Sequence, residues 1–413
     1  MKIYVDFLGC KLNQAEVEQI TLELISRGYS LTKNMYEAVY YLLNSCSVTA
    51  AAESKTRAKL TRALRQNPQI IRILIGCCGQ KDREEYLQKG LAEHVFGTQD
   101  KYHFYKVLRC LSKAKQSSQE QFLGRTRSFV QIQEGCTNFC SYCIVPLLRS
   151  SVNSTPLTAV IKTINDRVAH GYLEITLTGT EIGAYQDGGQ DLLFLVQTIL
   201  RETNVRRLRL SSLQPSEITP ALLQLYKENE RLCPHFHISL QSASNSILKK
   251  MNRSYNIEQY EHVLVDIGRV LPHAAVTTDV IVGFPGETEE DFKATLDLCH
   301  KTSFARIHVF NYSKRPGTKA AAMEGHLNEK MKKERSTALL AIANGKMLVF
   351  AQKHLGQYVQ VYVEACRCGF YEGYTPDYLR VSFAASDDLR GQIVCVRVDR
   401  VVSGGQGAFG SLV

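Results

Sequence analysis

Apolar residues recur along the first hundred positions in short blocks: KIYVDFLG (2–9), AVYYLLNSC (38–46) and IIRILIGC (70–77). Each block is rich in β-branched and aromatic side chains, and polar, helix-compatible sequence separates one block from the next. That alternation predicts βαβ units and hence a parallel sheet covered by helices. The rhythm resumes at SFVQIQ (128–133) and repeats at LEITLTG (173–179), RRLRLSSL (206–213), HFHISLQS (235–242), VTTDVIVGF (276–284) and RIHVFNYS (306–313). Strands and helices in that order predict a partial or complete α/β barrel, whose chemistry sits at the C-terminal ends of its strands. A helical pattern from Glu329 to His354 stops at Gly356, a plausible cap. Beyond it, VQVYVEA (359–365) and IVCVRV (393–398) alternate with period two and leave no room for a long helix, which predicts a small β-barrel. The polar tract SKAKQSSQEQ (112–121) has no apolar face and reads as a linker. The expected units are therefore 1–112, 122–345 and 346–413, and the fold class is α/β.

Composition changes this picture little. With 44% hydrophobic and 22% charged residues, the 413-residue chain is globular, not disordered or fibrous. Asp6 interrupts what would be the apolar core of a signal peptide, and no run approaches eighteen apolar residues, so a soluble cytoplasmic protein without a membrane span is expected. The 13 cysteines are an odd number spread over a large chain, which fits free thiols or metal ligands better than a disulfide framework. Fifty Lys and Arg against 40 Asp and Glu give +10, which permits a polyanionic partner without requiring one.

The chemistry concentrates in EGCTNFCSYCIVP (134–146), where Cys136, Cys140 and Cys143 are spaced CxxxCxxC. Four thiolates close a zinc or iron-sulfur site, whereas three on a four-iron cluster leave one iron open to a small reactive ligand. A zinc site completed by one of the 11 histidines fits the same spacing. Phe139 and Tyr142 are expected to shield such a cluster from water. A second set is suggested by topology. Cys10, Cys46 and Cys77 each end one of the first three predicted strands, and in a parallel sheet these ends share one rim. Inert buried thiols are the alternative. Cys78, beside Cys77, points to the opposite side if both lie on a strand.

CTNFCSYC resembles the cluster-binding loop of radical S-adenosylmethionine enzymes. The chain is similar to their methylthiotransferase branch at GCKLNQAEVE, NSCSVT, IGCCGQ, QEGCTNFCSYCIVP, HFHISLQSASNSILKKMNRSY, TTDVIVGFPGETEEDF, HVFNYSKRPGTKAAAM and GYTPDYLRV. The resemblance implies an amino-terminal methylthiotransferase domain, a radical barrel and a terminal TRAM barrel that contacts RNA. It implies two [4Fe-4S] clusters, one on Cys136, Cys140 and Cys143 and an auxiliary one on Cys10, Cys46 and Cys77. It further implies S-adenosyl-L-methionine held near Gly179, Glu181, Ser212, Gln214 and Gly283. Simple chain turning explains the glycines equally, and a solvated acid explains Glu181. Thr288 and Asp291 in FPGETEED read as a helix start.

Three substrate classes compete within that family: threonylcarbamoyl-adenosine in tRNA, isopentenyl-adenosine in tRNA, and an aspartate of a ribosomal protein. GCKLNQAEVE and GYTPDYLRV look most like the first branch, in which C2 of the adenine just 3′ of the anticodon receives a methylthio group. A non-catalytic iron-sulfur or zinc protein that binds RNA is the reading from another class. The implied partners are a tRNA anticodon loop, a reductant such as flavodoxin or ferredoxin, and a sulfur donor, with a monomer as the expected state. Lys55, Lys59 and Arg62 share one face of the predicted helix after Cys46 and suit phosphates, as they also suit water. Tyr371, Tyr374, Tyr378 and Arg380 suit base stacking and phosphate contact, or the packing of a small barrel. The sequence departs from the family pattern at LLRSSVNSTP (147–156), where only Arg149 remains of an Arg- and Gly-rich run, at Gln214 and at Ala243.

Overall fold

The computed structural model describes residues 1–108 and 126–413. The expected linker at 112–121, and with it the first domain boundary, lies outside the described residues. Strands β1 (Lys2–Phe7), β2 (Ser30–Leu31), β3 (Tyr40–Ser45), β4 (Ile71–Gly76) and β5 (His94–Val95) form one parallel sheet in the order β2-β1-β3-β4-β5. The central strand β3 is buried at all six positions, as its unbroken apolar sequence requires of a strand covered on both faces. Helices α1 (Lys11–Ser26), α2 (Ala50–Gln66) and α3 (Cys77–Gln88) start directly beyond β1, β3 and β4.

The next unit carries β6 (Arg127–Gln131), the short ribbon β7 (Gln133–Glu134) with β8 (Asn153–Ser154), and β9 (Glu174–Thr178). It continues through the hairpin β10 (Gln186–Asp187) and β11 (Gln190–Asp191), then β12 (Arg207–Leu210), β13 (Ser212–Leu213), β14 (His235–Ile238), β15 (Ala275–Val282) and β16 (Arg306–Asn311). β6, β9 and β12 pair in parallel, as do β13 to β16, and a bridge from Leu208 to Leu232 joins the two arcs. Among the described residues β16 does not pair with β6, so the barrel is partial. α4 (Val145–Leu148), α5 (Leu157–Ala169), α6 (Leu192–Glu202), α7 (Pro220–Glu228), α8 (Asn245–Lys250), α9 (Ile257–Val270), α10 (Glu289–Lys301) and α11 (Glu329–Gln352) accompany it. Thr288 and Asp291 cap α10 reciprocally, as their spacing predicts. α1 packs beside the open edge at β6, where Glu18 accepts from Ser128 Oγ at 2.8 Å and Phe129 N at 3.0 Å.

A closed barrel ends the chain, ordered β17-β18-β19-β21-β20, from β17 (Tyr358–Arg367), β18 (Phe370–Tyr374), β19 (Arg380–Ala384), β20 (Ile393–Val401) and β21 (Ala408–Leu412). It docks on the N-terminal ends of the parallel strands. Arg209, fully buried, donates to Pro376 O at 2.7 Å and stacks on Tyr378 at 3.8 Å, while Arg207 donates to Gln360 O at 3.0 Å. No helix is long and apolar enough to cross a membrane among the described residues.

Candidate functional site: two cysteine triplets and a cationic cavity

Cys136, Cys140 and Cys143 lie on the loop between β7 and α4, at the C-terminal end of the partial barrel. The loop doubles back because Phe139 adopts φ 45° and Cys143 N donates to Cys140 O at 2.9 Å. Burial lifts the Cys136 thiol to about 12 and Cys143 to about 11, because a dry loop disfavours the thiolate. One polar network ties this loop to the neighbouring strand ends. Cys136 Sγ donates to Glu181 Oε2 at 3.2 Å, and Asn138 and Gln214 both donate to the other Glu181 oxygen. Arg253 reaches Gln214 Oε1 and Cys140 Sγ, each at 3.2 Å. Two of the expected cofactor contacts, Glu181 and Gln214, are thus brought to the cysteines. Beneath them burial raises Glu217 to about 7, and Gln214 N donates to it at 2.8 Å.

The other expected contacts fall differently. Gly179 faces Gln133 O, which a Cβ would meet at 2.8 Å, and Gly283 adopts φ 76° with Lys332 Cγ 2.5 Å from where its Cβ would stand. Close packing accounts for both glycines. Ser212 is exposed at the start of β13. Phe139, expected to shield the loop, is 56% exposed, while Tyr142 packs against the core around Phe284 and Met251. The positive φ that closes the loop turns the Phe139 side chain outward.

Cys10, Cys46 and Cys77 converge at the rim of the first sheet. Gly9 at φ 128° brings the chain against Cys46, so a Cβ there would lie 2.6 Å from the Cys46 Cβ. Burial, reinforced by the neighbouring Cys77 and Cys10, lifts Cys46 to about 12. Cys77 and Cys78 do not end a strand. They open α3, so about 100° of helical rotation separates them instead of a strand's alternation. Cys77 packs with Ile144 and Leu148 beside Arg149, whereas Cys78 donates to Cys46 O at 3.1 Å and faces the core of α2 and α3.

Residues Ile144 to Arg149, just after the CxxxCxxC loop, therefore touch the second triplet. Arg149 donates to Glu16 Oε1 at 2.8 Å, Lys101 does so at 2.7 Å, and Glu134 meets both cations. Burial opposes ionisation of Glu16, but Arg149 and Lys101 outweigh it and hold the carboxyl at about 2. Arg315 from the RPGT motif is likewise buried against Glu53 and Ser47 at the start of α2. The segment 144–149 thus forms a wall between the two triplets.

A cavity of about 500 Å³ opens beside Cys10, between α1, the lumen of the partial barrel and the terminal barrel. Lys11, Arg306, His308, Tyr374, Tyr378 and Arg380 line it. His237, Asp279 and His308 project from three adjacent strands, with ligand atoms all within 4.8 Å of one another. Thr277 Oγ1 sits 2.9 Å from His237 Nδ1, leaving Nε2 3.2 Å from Asp279 Oδ2.

The Radical SAM superfamily model matches residues 130–299, and the model of the Uncharacterized protein family UPF0004 matches residues 2–97. A Bacillus subtilis protein named threonylcarbamoyladenosine tRNA methylthiotransferase MtaB is 34% identical over 95% of this chain and 92% of its own length. A Thermotoga maritima protein of the same name is 34% identical over 93% and 92%. The chain belongs to the radical S-adenosylmethionine methylthiotransferase family. A relative from Pelotomaculum thermopropionicum, named tRNA-2-methylthio-N(6)-dimethylallyladenosine synthase, is 33% identical over 96% of this chain and 95% of its own. A solved radical S-adenosylmethionine methyltransferase, TsrM from Kitasatospora setae, shares the fold at a TM-score of 0.56 and 14% identity, over 78% of this chain and 77% of that one.

For a methylthiotransferase, the structure sorts the expected substrate side chains. Tyr374 and Arg380 join the cavity. Lys55 is exposed on α2, but Lys59 is paired with Asp6 at 2.6 Å, and with Arg62 it lines a separate hollow beside Tyr4 and Tyr41. The charge expected to be free on that face is partly neutralised by its own strand β1. Tyr371 stacks on Phe383 inside the terminal barrel. Arg253 and Lys11 were not singled out by sequence. They stand inside the motifs MNRSY and GCKLNQ, yet only the fold shows that Arg253 reaches Cys140 and that Lys11 lines the cavity.

Proposed function

We propose that this methylthiotransferase adds a methylthio group to C2 of N6-threonylcarbamoyladenosine just 3′ of the anticodon in tRNA. The observation that carries the reading is the pairing of two three-cysteine sites on either side of residues 144–149, with a cationic cavity whose lining includes Lys11, the neighbour of Cys10. In this reading Cys136, Cys140 and Cys143 hold one [4Fe-4S] cluster, and Cys10, Cys46 and Cys77 hold the other. The donor sets fit: each offers three thiols to one cluster, and although burial lifts Cys46 and Cys136, bound iron would stabilise their thiolates. When bound, the clusters and S-adenosylmethionine supply reductive cleavage, sulfur and methyl.

The chain's own residues then divide the work. Arg253 places a positive charge 3.2 Å from Cys140 Sγ, where it would offset cluster charge. Glu181, held by Asn138 and Gln214, offers acceptor oxygens to an ammonium group such as that of S-adenosylmethionine. Ser212, Gly179 and Gly283 border the same strand ends. Tyr374 and Arg380 suit stacking and phosphate contact, and Lys55, Lys59 and Arg62 lie on an outer face that suits the RNA stem. An unstacked loop base is the form in which RNA is usually read. The division of labour we infer is 1–112 for the auxiliary cluster, 122–345 for the radical chemistry and 346–413 for RNA. The setting is the cytoplasm, the state a monomer, and the partners a small electron donor such as flavodoxin or ferredoxin and a sulfur donor.

Relatives named for dimethylallyladenosine are nearly as similar, so identity does not choose the substrate; the polar, cationic cavity favours the threonylcarbamoyl form. Mass spectrometry of tRNA nucleosides after gene deletion tests the reading. We expect 2-methylthio-N6-threonylcarbamoyladenosine to vanish and its unthiolated parent to accumulate. Loss of the methylthio-isopentenyl nucleoside in its place rejects the proposed substrate.

A further inference from the structure

Lys11 directly follows Cys10 and opens α1, with its ammonium group sunk in the cavity wall. Among the described residues it makes no hydrogen bond or ion pair. Arg306 and Arg380 line the same cavity and likewise face no carboxylate within ion-pair distance among the described residues. The remaining charges there are committed. Arg127 pairs with Glu364 and donates to Tyr378 at 2.8 Å, and Asp377 pairs with His354 at 2.8 Å. Asp279 is engaged by His237. Burial, then Arg306, His237 and Lys11, pulls His308 down to about 4 against the attraction of Asp279, so its ring is neutral at working pH.

A desolvated cation without a partner is costly, and an anionic group entering the cavity removes that cost. Resting on the substrate reading above, we propose that Lys11 determines specificity by binding the carboxylate of the threonylcarbamoyl group, while Asp279 accepts a hydrogen bond from a donor of the same substituent. The substituent carries a carboxylate, a hydroxyl and urea N–H groups, which match the Lys11 cation in the cavity wall and the Asp279 carboxylate held next to the cavity residues His237 and His308. A dimethylallyl group carries none of them and leaves Lys11 unmatched. Because Lys11 is the neighbour of Cys10, the residue that reads the substituent is anchored to the site that supplies the sulfur.

The test uses the full chain with both clusters reconstituted anaerobically, without reductant, and anticodon stem-loop RNAs that differ only at the target base. The base is threonylcarbamoyladenosine, its carboxamide analogue, dimethylallyladenosine or adenosine. Wild type is expected to bind the carboxylate RNA about 30-fold more tightly than the carboxamide, the scale of a lost buried charge pair. Lys11→Met is expected to bring the two together while keeping the wild-type iron content. Asp279→Asn is expected to weaken both relative to adenosine and to leave the carboxylate preference in place. Equal binding of carboxylate and carboxamide by wild type overturns the proposal without any variant. A uniform loss over all four RNAs in Lys11→Met assigns the lysine to a backbone phosphate and also overturns it. Retention of one zinc by wild type that Asp279→Asn loses, with the carboxylate preference unchanged in Lys11→Met, makes the His237, Asp279 and His308 cluster a metal site and overturns it too. In a parallel assay with reductant and S-adenosylmethionine added, methylthiolation of the dimethylallyl RNA but not the threonylcarbamoyl RNA rejects the functional reading instead.

Discussion

The two cysteine triplets reach similar arrangements by opposite routes. Cys136, Cys140 and Cys143 belong to one loop at 136–143, so their nearness along the chain gathers them, and hydrogen bonds with Met251 and Asn252 only brace the loop. Cys10, Cys46 and Cys77 span 10–77 and meet only because three parallel strands end at one rim. The first site is a property of a segment; the second is a property of a fold. The first should therefore survive damage to the sheet, and the second should not. Their surroundings differ in the same sense. Exchangeable polar contacts to Glu181, Gln214 and Arg253 ring the loop. At the second triplet Cys46 and Cys77 are buried, with Cys77 against Ile144, Leu148 and Arg149, while Cys10 is exposed.

The largest effect separates the two by product. Cys140→Ala is expected to abolish both deoxyadenosine formation and methylthio transfer. Cys46→Ala is expected to abolish transfer while S-adenosylmethionine cleavage continues, and each variant should drop from about eight irons per chain to about four. Cys77→Ala should behave as Cys46→Ala does, and Cys78→Ala should keep its iron, because Cys78 faces away from the rim. A Cys78 variant that loses half its iron exchanges the two assignments.

A smaller effect tests the wall between the triplets. Arg149→Met leaves Glu16, wholly buried, with Lys101 as its remaining cation. Breaking a buried pair in this way costs about 3 kcal/mol. The urea midpoint of the anaerobic protein should fall, and iron should be lost first from the second triplet, whose Cys77 lies against Arg149. An unchanged midpoint means that Met refills the space and that the charges stabilise nothing in balance.

These contrasts also explain what could be read without the fold. The parallel sheet, the barrel and the terminal β-barrel were legible because each rests on a repeat of two or of strand and helix. The CxxxCxxC loop was legible because its ligands are neighbours. The second triplet was legible only through the rule that parallel strands end on one side. Lys11 and Arg253 were hidden because their roles depend on residues far along the chain: Arg209 and Asp279 for the lysine, Cys140 for the arginine. The ion pair of Lys59 was hidden for a similar reason, since its partner Asp6 comes from a strand that the helical spacing does not reveal. Cys77 and Cys78 were misplaced by one residue of strand, and that residue changes the angle between them from a strand's half-turn to a helix's 100°.

The smallest effect concerns Phe139. An aromatic side chain inside a cluster loop invites the view that it keeps water and oxygen out, and that role requires it to cover the sulfurs. Here the backbone φ of 45° that closes the loop swings the ring outward, and more than half of it is exposed. Phe139→Ala therefore removes little buried surface, and the backbone strain stays with the alanine, so stability should shift by no more than about 0.5 kcal/mol. Iron content and the rate of cluster bleaching in air should match the wild type. Bleaching several-fold faster would show that the ring folds over the sulfurs once the cluster is bound. Burial of the cluster would then depend on a movable side chain at the first triplet, in contrast to the fixed wall at the second.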